Sequence, residues 1–322
     1  MTTIDNKNSL SNFENYFIHC DSKDDDRTIG ETTPIDRVIC ILVLYNPSVK
    51  LLEIAIESII SQVDLLWISD NTPQGTNGIE TLIKPYGDRI KYKLMNGNEG
   101  IASAQNAGIQ FAIEEHYNFI YFLDQDSISP EDIILSLKSR FNAIKFLGVK
   151  IGGIGPQPYN RVSGHDYIQK GDFFSEELEE VREIMNSGSL ISTHLFEEVG
   201  MMDAPLFIDA VDYELCWRAN YLESYRFFIL CKMRLSHMLG EGDKHLLGRT
   251  LKISSSFRTY YQFRNWFILA RRKYVPLSWK IRNGLKYIIK YIYFPIFVSP
   301  RWDYFRNINR GIIDGIMNRY EK

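Results

Sequence analysis

The 322-residue sequence predicts an α/β fold: a mostly parallel sheet flanked by helices, with a basic, amphipathic helical extension at the C-terminus. Three observations predict it. Short apolar runs alternate with helix-period patterns from Val38 to Asp124, the order that parallel strands and crossover helices require. Polar clusters close these runs at Tyr45-Asn46, Asp70-Asn71, Asn96-Gly97-Asn98-Glu99-Gly100 and Asp124-Gln125-Asp126, as expected along one sheet edge. The charge is split: residues 249–322 carry 16 Lys+Arg against 3 Asp+Glu, the remainder 21 against 37.

The elements follow in order. Residues 1–36 are polar and acidic and read as a loose leader without a secretory h-region, so a cytoplasmic protein is expected. Val38 to Leu44 is a strand, and Leu51, Leu52, Ala55, Ile56, Ile59 and Ile60 mark a helix at three-to-four spacing. Leu65 to Ile68 and Ile90 to Leu94 are further strands, and Ile101 to Glu115 is a helix. The run Ile120-Tyr121-Phe122-Leu123 then enters Asp124-Gln125-Asp126. Four scattered cysteines without CxxC spacing suggest neither a zinc site nor a disulfide framework.

Ligands of open parallel sheets sit outside the carboxyl ends of the strands, where these polar clusters lie. Asp124 and Asp126 can hold a hard divalent cation that bridges to substrate phosphates. Equally, one of them can cap the following helix, near whose start Pro130 stands. The Gly-rich turn before Ile101-Ala102-Ser103-Ala104 opens a helix with small residues. Such an opening admits a phosphate at the helix N-terminus or simply a closely packed backbone.

Together these segments resemble an inverting family 2 glycosyltransferase with a GT-A (Rossmann-like) fold, over about Val38 to Asn265. The resemblance rests on Tyr45-Asn46, Asp70-Asn71, the series Asn98, Gly100, Ala102, Ala104, Asn106 and Gly108, and the DxD pair Asp124 and Asp126. It implies a catalytic domain over 37–265 followed by a helical region over 266–322. It also implies nucleotide or donor contacts from Tyr45, Asn46, Asp70, Asn98, Gly100, Asn106, Asp124 and Arg264. The implied cofactor is Mn2+ or Mg2+ on Asp124 and Asp126, with His237 as a further candidate ligand. Asn186 to Ile191 is similar to the small-residue strand bordering the acceptor, giving Gly188 and Ser189 an acceptor-side place.

Most family members carry Glu-Asp-x-Asp where this chain has Val211-Asp212-Tyr213-Glu214, a departure that leaves Asp212 in the base position. Asp209 and Glu214 flank it as acceptor-side alternatives. Asp209 can also cap the following helix, and Glu214 can pair with Arg218 at i,i+4 as a surface pair. Phe207-Ile208-Asp209, Leu123-Asp124-Gln125-Asp126-Ser127 and Tyr260-Tyr261-Gln262-Phe263-Arg264-Asn265 resemble the rhamnosyltransferase branch. The implied donor is dTDP-L-rhamnose, with UDP- or GDP-sugars as alternatives. The implied acceptor is a saccharide, polyprenyl-linked, in surface polysaccharide (O-antigen-like) synthesis.

Inverting transfer needs a base on one face of the anomeric carbon and charge compensation for the leaving diphosphate on the other. Asp212 and the DxD pair are placed to divide that work. Arg258, Arg264 and Asn265 are candidate diphosphate contacts or a solvated helix face.

The tail alternates bases with apolar residues, and its uncharged run Tyr291 to Val298 falls short of the roughly 20 residues a bilayer span needs. An anionic inner-leaflet surface is the expected partner, with a helix pair in a homodimer as the alternative. No nucleic-acid-binding fold accompanies the charge. Two rival functions are a phosphotransferase with Asp124 as nucleophile and a non-catalytic, membrane-docked scaffold.

Overall fold

The structure, a computed structural model, describes residues 36–160, 165–166, 172–173, 177–237, 243–246 and 249–320. The expected leader lies outside these residues, apart from Asp36.

The first half alternates as expected: β1 (Val38–Leu44), α1 (Val49–Ile60), β2 (Leu65–Asp70), α2 (Ile79–Ile83), β3 (Ile90–Leu94), α3 (Ile101–Glu114) and β4 (Phe119–Asp124). All four strands run parallel, in the order β3-β2-β1-β4. Beyond β4 come α4 (Ile133–Phe146), β5 (Ile151–Asn160), β6 (Leu178–Val181), β7 (Leu190–Ser192), α5 (Thr193–Val199), α6 (Val211–Glu223) and β8 (Arg226–His237). The sheet continues β4-β7-β5-β8-β6, with β7 antiparallel to both neighbours, β5 and β8 parallel, and β6 antiparallel.

β1, β2 and β4 read as near-continuous apolar runs because both faces of the sheet are covered there, whereas edge strand β3 alternates Ile-Lys-Tyr-Lys-Leu with mostly exposed residues. Side chains alternate, so Val38, Cys40, Leu42 and Leu44 join Leu52, Ala55, Ile56 and Ile59 of α1 in one core. Ile39 and Ile41 face the other way, onto Ala102, Ile109 and Ala112 of α3 and the α5–α6 layer. Each of the Val, Leu and Ile side chains among them contributes about 1.5–3 kcal/mol by leaving water. Gly108 is glycine because a Cβ there would lie 2.8 Å from both Ile41 and Trp67, so α3 rests directly on the sheet. Cys40, Cys216 and Cys231 are free thiols.

Three helices close the chain: α7 (Ser256–Ala270), α8 (Leu277–Phe297) and α9 (Arg301–Ile316). The division expected at residue 265 falls inside α7. Gly311 and Gly315 let α9 lie against α7, since Cβ atoms there would meet the Tyr260 and Arg264 carbonyl oxygens at 2.5 and 2.8 Å. Asp314 accepts the Tyr260 hydroxyl at 2.8 Å. On α8, buried Lys290 donates to Gln262 Oε1 of α7 at 2.6 Å. Burial pulls its ammonium pKa down to about 7, with the neighbouring positive charge of Lys286 adding to that. The opposite stripe of α8, Ile281, Leu285, Ile288, Ile292 and Ile296, is exposed. No helix among the described residues is long and apolar enough to cross a membrane.

Candidate active site

Asp124 ends β4 and is half-buried, with its N–H donated to Ser187 Oγ at 3.2 Å. The chain then turns through Gln125 and Asp126 into a short strand, Ser127–Ile128, which pairs with the end of β8. His237 lies opposite Ser127 in that pairing, so its backbone stands beside the DxD turn; its side chain is outside the described residues. The helix after the turn starts at Ile133 with Asp132 at the N-cap, so neither DxD carboxylate caps it. Among the described residues no group of three or more His, Cys, Asp or Glu gathers as a metal cage. Two carboxylates on one turn fit instead a Mg2+ or Mn2+ that takes its remaining oxygens from a diphosphate.

Asp212 occupies the first turn of α6, close enough to Asp124 for the two charges to interact. Burial pushes its carboxyl pKa up to about 6, and the Asp124 charge adds to that. Backbone N–H groups of Tyr213 and Asn186 work in the opposite direction. The segment 186–189 therefore ties the two residues together, with Asn186 N–H on the Asp212 carboxylate and Ser187 Oγ on the Asp124 backbone N–H. Gly188 donates to the Phe122 carbonyl at 2.8 Å, and the Ser189 carbonyl accepts from Phe122 N–H at 3.0 Å. Both residues are buried braces for β4. Gly188 has φ +84°, and a Cβ there would press into Leu235 and Pro156.

Asp209 does not cap α6; Ala210 holds the N-cap position. The Asp209 carboxylate instead grips Arg258 of α7 through bonds of 2.7, 2.9 and 3.1 Å. Burial opposes the Arg258 charge, but Asp209, Asp124 and Asp212 together outweigh it and hold the guanidinium firmly protonated. Phe207, Asp209 and Ala210 all have positive φ, a strained run of non-glycine residues. Side chains of α7 hold that loop in place. Arg264 Nη2 donates to the carbonyls of Pro205 (2.6 Å) and Leu206 (3.1 Å). Asn265 Nδ2 donates to Leu206, Ile208 and Asp209 at 2.9, 2.7 and 3.2 Å. Arg264 is 1% exposed and stacks on Tyr261 at 4.7 Å. The structure thus places it under the loop that carries Asp209.

Glu214 is held in a buried network with residues of α6 and of the segment after α7. It is 1% exposed, and its carboxylate accepts from Arg218, Arg272 and the Tyr274 hydroxyl, the last at 2.6 Å. Its i,i+4 partnership with Arg218 exists as expected, but inside the protein and not at the surface.

On the nucleotide side, Tyr45 is exposed at the end of β1, and Asn46 takes φ +46°. Gln125 clasps Tyr45 from the DxD turn: it accepts Tyr45 N–H at 2.8 Å and donates to its carbonyl at 3.2 Å. Asn46 N–H donates to Thr72 Oγ1 at 2.9 Å. Asp70 is fully buried, accepting Thr72 N–H (2.8 Å), Thr76 N–H (2.7 Å) and the Tyr92 hydroxyl (2.9 Å). Burial raises its pKa, but the Thr72 and Thr76 bonds win and hold it below the usual carboxylate range. Asp70 thereby shapes the loop 71–76 below Asn46.

The helix N-terminus of α3 is already occupied. The Phe207 carbonyl accepts Ile101 N–H at 2.8 Å, and a Cβ on Gly100 would meet the Phe207 ring at 2.6 Å. The close approach read from the small residues is thus made by the Phe207 loop. Asn98 bonds back to Gly100 N–H, and Asn106 pins the Met202 backbone through two bonds of 2.9 Å. Gln125, Thr72, Ser187 and Asn186 carry contacts for which the sequence assigned them no role of their own. Gln125 stood in the middle of the DxD motif, and Asn186 and Ser187 opened the segment read as bordering the acceptor, whereas Thr72 had no signal.

A profile of glycosyl transferase family 2 matches residues 39–198. The chain is similar to the dTDP-rhamnosyl transferase RfbF of Shigella flexneri, 34% identical over 262 residues, covering 76% of this chain and 84% of that protein. Among solved structures, S. aureus TarS 1-349 is similar with a TM-score of 0.53 at 14% identity, over 88% of this chain and 82% of that one. GalNAc-T7 with UDP, GalNAc and Mn2+ gives 0.52 at 13%, over 83% and 58%. Those two likenesses speak for the fold alone. The sheet, its covering helices and these relatives make the chain a GT-A glycosyltransferase that belongs to glycosyl transferase family 2.

Proposed function

We propose that the protein transfers L-rhamnose from dTDP-L-rhamnose, with inversion, to a saccharide acceptor of surface polysaccharide (O-antigen-like) synthesis. The observation that carries the sugar assignment is the 34% identity to a dTDP-rhamnosyl transferase over most of both chains. The chemistry is supported by Asp212, whose pKa of about 6 leaves it ionised yet basic at neutral pH. Asp212 takes the proton of the attacking acceptor hydroxyl, that oxygen bonds to the anomeric carbon, and dTDP leaves from the opposite face.

Tyr45 and Asn46, over the loop shaped by Asp70, receive the nucleoside. Asp124 and Asp126, with His237 adjacent, are the residues to hold Mn2+ or Mg2+. When bound, the cation would compensate the charge of the departing diphosphate. Arg258, held by Asp209, adds a fixed positive charge facing the same carboxylates. Arg264, Asn265 and Glu214 act as positioning residues behind the cleft.

The exposed apolar stripe of α8, flanked by Arg282 and Lys286, supports attachment to the anionic cytoplasmic face of a membrane, where a polyprenyl-linked acceptor would reside. Flotation with anionic liposomes tests this: binding that salt weakens is expected. A stable dimer that fails to float would assign the stripe to self-association.

For the transfer itself, dTDP-rhamnose, UDP-glucose and GDP-mannose are offered to purified protein with Mn2+, Mg2+ or EDTA. Metal-stimulated release of dTDP, in excess over UDP or GDP, is the expected result. Preferential turnover of UDP- or GDP-sugars would overturn the donor, and a phosphate ester trapped on Asp124 would favour the phosphotransferase.

A further inference from the structure

A groove of about 1140 Å³ runs along the outer face of α6 to the start of α8. Trp217 and Trp279, edge to face at 5.1 Å, are almost fully buried and form its floor. Tyr213, Tyr221 and Tyr274 rise from that floor, with Tyr213 at 5.9 Å from Trp217 and Tyr221 at 6.0 Å from Tyr274. Glu183 on the facing wall accepts the Trp217 indole N–H at 3.0 Å, which fixes the ring.

The groove begins beside the proposed reaction centre. Tyr213 directly follows Asp212, and Glu183 lies three residues before Asn186, whose N–H reaches Asp212. From Tyr213 to Tyr221 the helix rises about 12 Å, the reach of a short oligosaccharide. The volume exceeds the 300–1,000 Å³ or so typical of small-molecule sites, so a single sugar would leave it mostly empty.

The lining favours a chemical class. Pyranose rings offer apolar C–H faces and a rim of hydroxyls. Aromatic rings cover the former, and charged forks bond the latter. Glu180 neutralises Arg226 in an ion pair, and Glu183 stands among the remaining bases, a mixed rim ill suited to a polyanion.

We propose that this groove binds the non-reacting sugars of the acceptor chain, leading its terminal hydroxyl to Asp212. The inference rests on the glycosyltransferase reading above and adds the acceptor's dimension to it: an oligosaccharide read over several residues, not a lone sugar. Binding energy from those remote sugars would position the terminal hydroxyl for attack.

A synthetic tetrasaccharide of L-rhamnose is the probe, followed by saturation-transfer NMR and tryptophan fluorescence on the full chain. Saturation reaching at least two successive sugars is expected, with affinity unaffected by saturating dTDP. The double variant Tyr213→Leu, Tyr221→Ala should weaken the tetrasaccharide about tenfold or more while dTDP affinity with Mn2+ stays within about twofold. Arg282→Ala, at an exposed position, gives a second variant should the double one misfold, with a loss of about threefold or more expected. Unchanged tetrasaccharide affinity in a folded variant, displacement by dTDP, or no binding at about 10 mM would overturn the groove assignment. Loss of dTDP binding by the wild-type chain would instead strike the donor reading and leave the tetrasaccharide result readable.

Discussion

The nucleotide-side half of the cleft is held by bonds between neighbouring strand ends and within the loop after β2, whereas the acceptor-side half is held from behind by a helix outside the sheet. On the first side, Asp70 bonds Thr72 and Thr76, and Gln125 clasps Tyr45 across adjacent strands. On the second, the strained residues 207–210 keep their shape because Arg264 and Asn265 donate to the carbonyls of residues 205, 206, 208 and 209. α9 in turn buttresses α7 through Gly311, Gly315 and Asp314. Backbone strain of about 1–3 kcal/mol per residue persists only where the surroundings over-determine it. The C-terminal helices therefore hold Asp209 and the loop that leads to Asp212 in place.

Several substitutions separate the two halves. The largest effect is expected for Asp212→Asn. Transfer should fall by about 10²–10⁴-fold while dTDP affinity, a property of the other half, holds in a titration calorimeter. Retained turnover would remove Asp212 from the base position. Asp124→Asn, or EDTA, should instead cost both dTDP affinity with Mn2+ and activity, roughly a hundredfold or more in turnover. Activity insensitive to chelation would dismiss the metal.

Arg264→Lys keeps the charge but loses the fork that serves the Pro205 and Leu206 carbonyls together and bonds Asn265. A loss of about 2–4 kcal/mol in urea unfolding and a kcat drop of roughly tenfold are expected, with the dTDP-rhamnose KM little changed. A KM effect without a stability effect would mean that Arg264 touches the donor. Asp70→Ala is the mirror experiment. It strands two N–H groups and the Tyr92 hydroxyl, so the expected damage is about 1–3 kcal/mol of stability and weaker dTDP binding, with the Asp212-dependent pH limb intact.

The smallest effect is in pH dependence. Asp212 must be ionised to act, so kcat/KM should fall as pH drops through about 6 and level off above it. Because burial raises this carboxyl, ionising it costs stability. That cost is absent below the unfolded pKa and complete above about 6. Asp212→Asn should therefore raise Tm by about 2–5 °C at pH 7.5 and leave it unchanged near pH 4. A flat kcat/KM profile between pH 5 and 8 would contradict the assignment.

The legibility of the two halves differs for the same physical reason. Strand runs, their alternation with helices and the polar residues at their ends are local patterns. Val38–Leu44, Asp70, Asp124 and Asp126 could therefore be placed from the sequence. Asp212 was legible only because Val211-Asp212-Tyr213-Glu214 takes the place where most family members carry Glu-Asp-x-Asp. The roles around it were not. Glu214 reads as an acidic first-turn residue, yet the fold buries it against Arg218, Arg272 and Tyr274. Gly100 reads as a phosphate turn, yet it is the Phe207 ring and carbonyl that approach it.

By itself the sequence determined the parallel first half of the sheet, the DxD turn and the basic, amphipathic tail, because hydrophobic period and turn chemistry act over a few residues. Only the tertiary structure decided that Arg264 and Asn265 face backbone carbonyls, that segment 186–189 joins Asp124 to Asp212, and that an aromatic groove opens beside α6. Those pairings span from about 25 to 90 residues of chain, and no local pattern encodes which distant group a buried fork will satisfy.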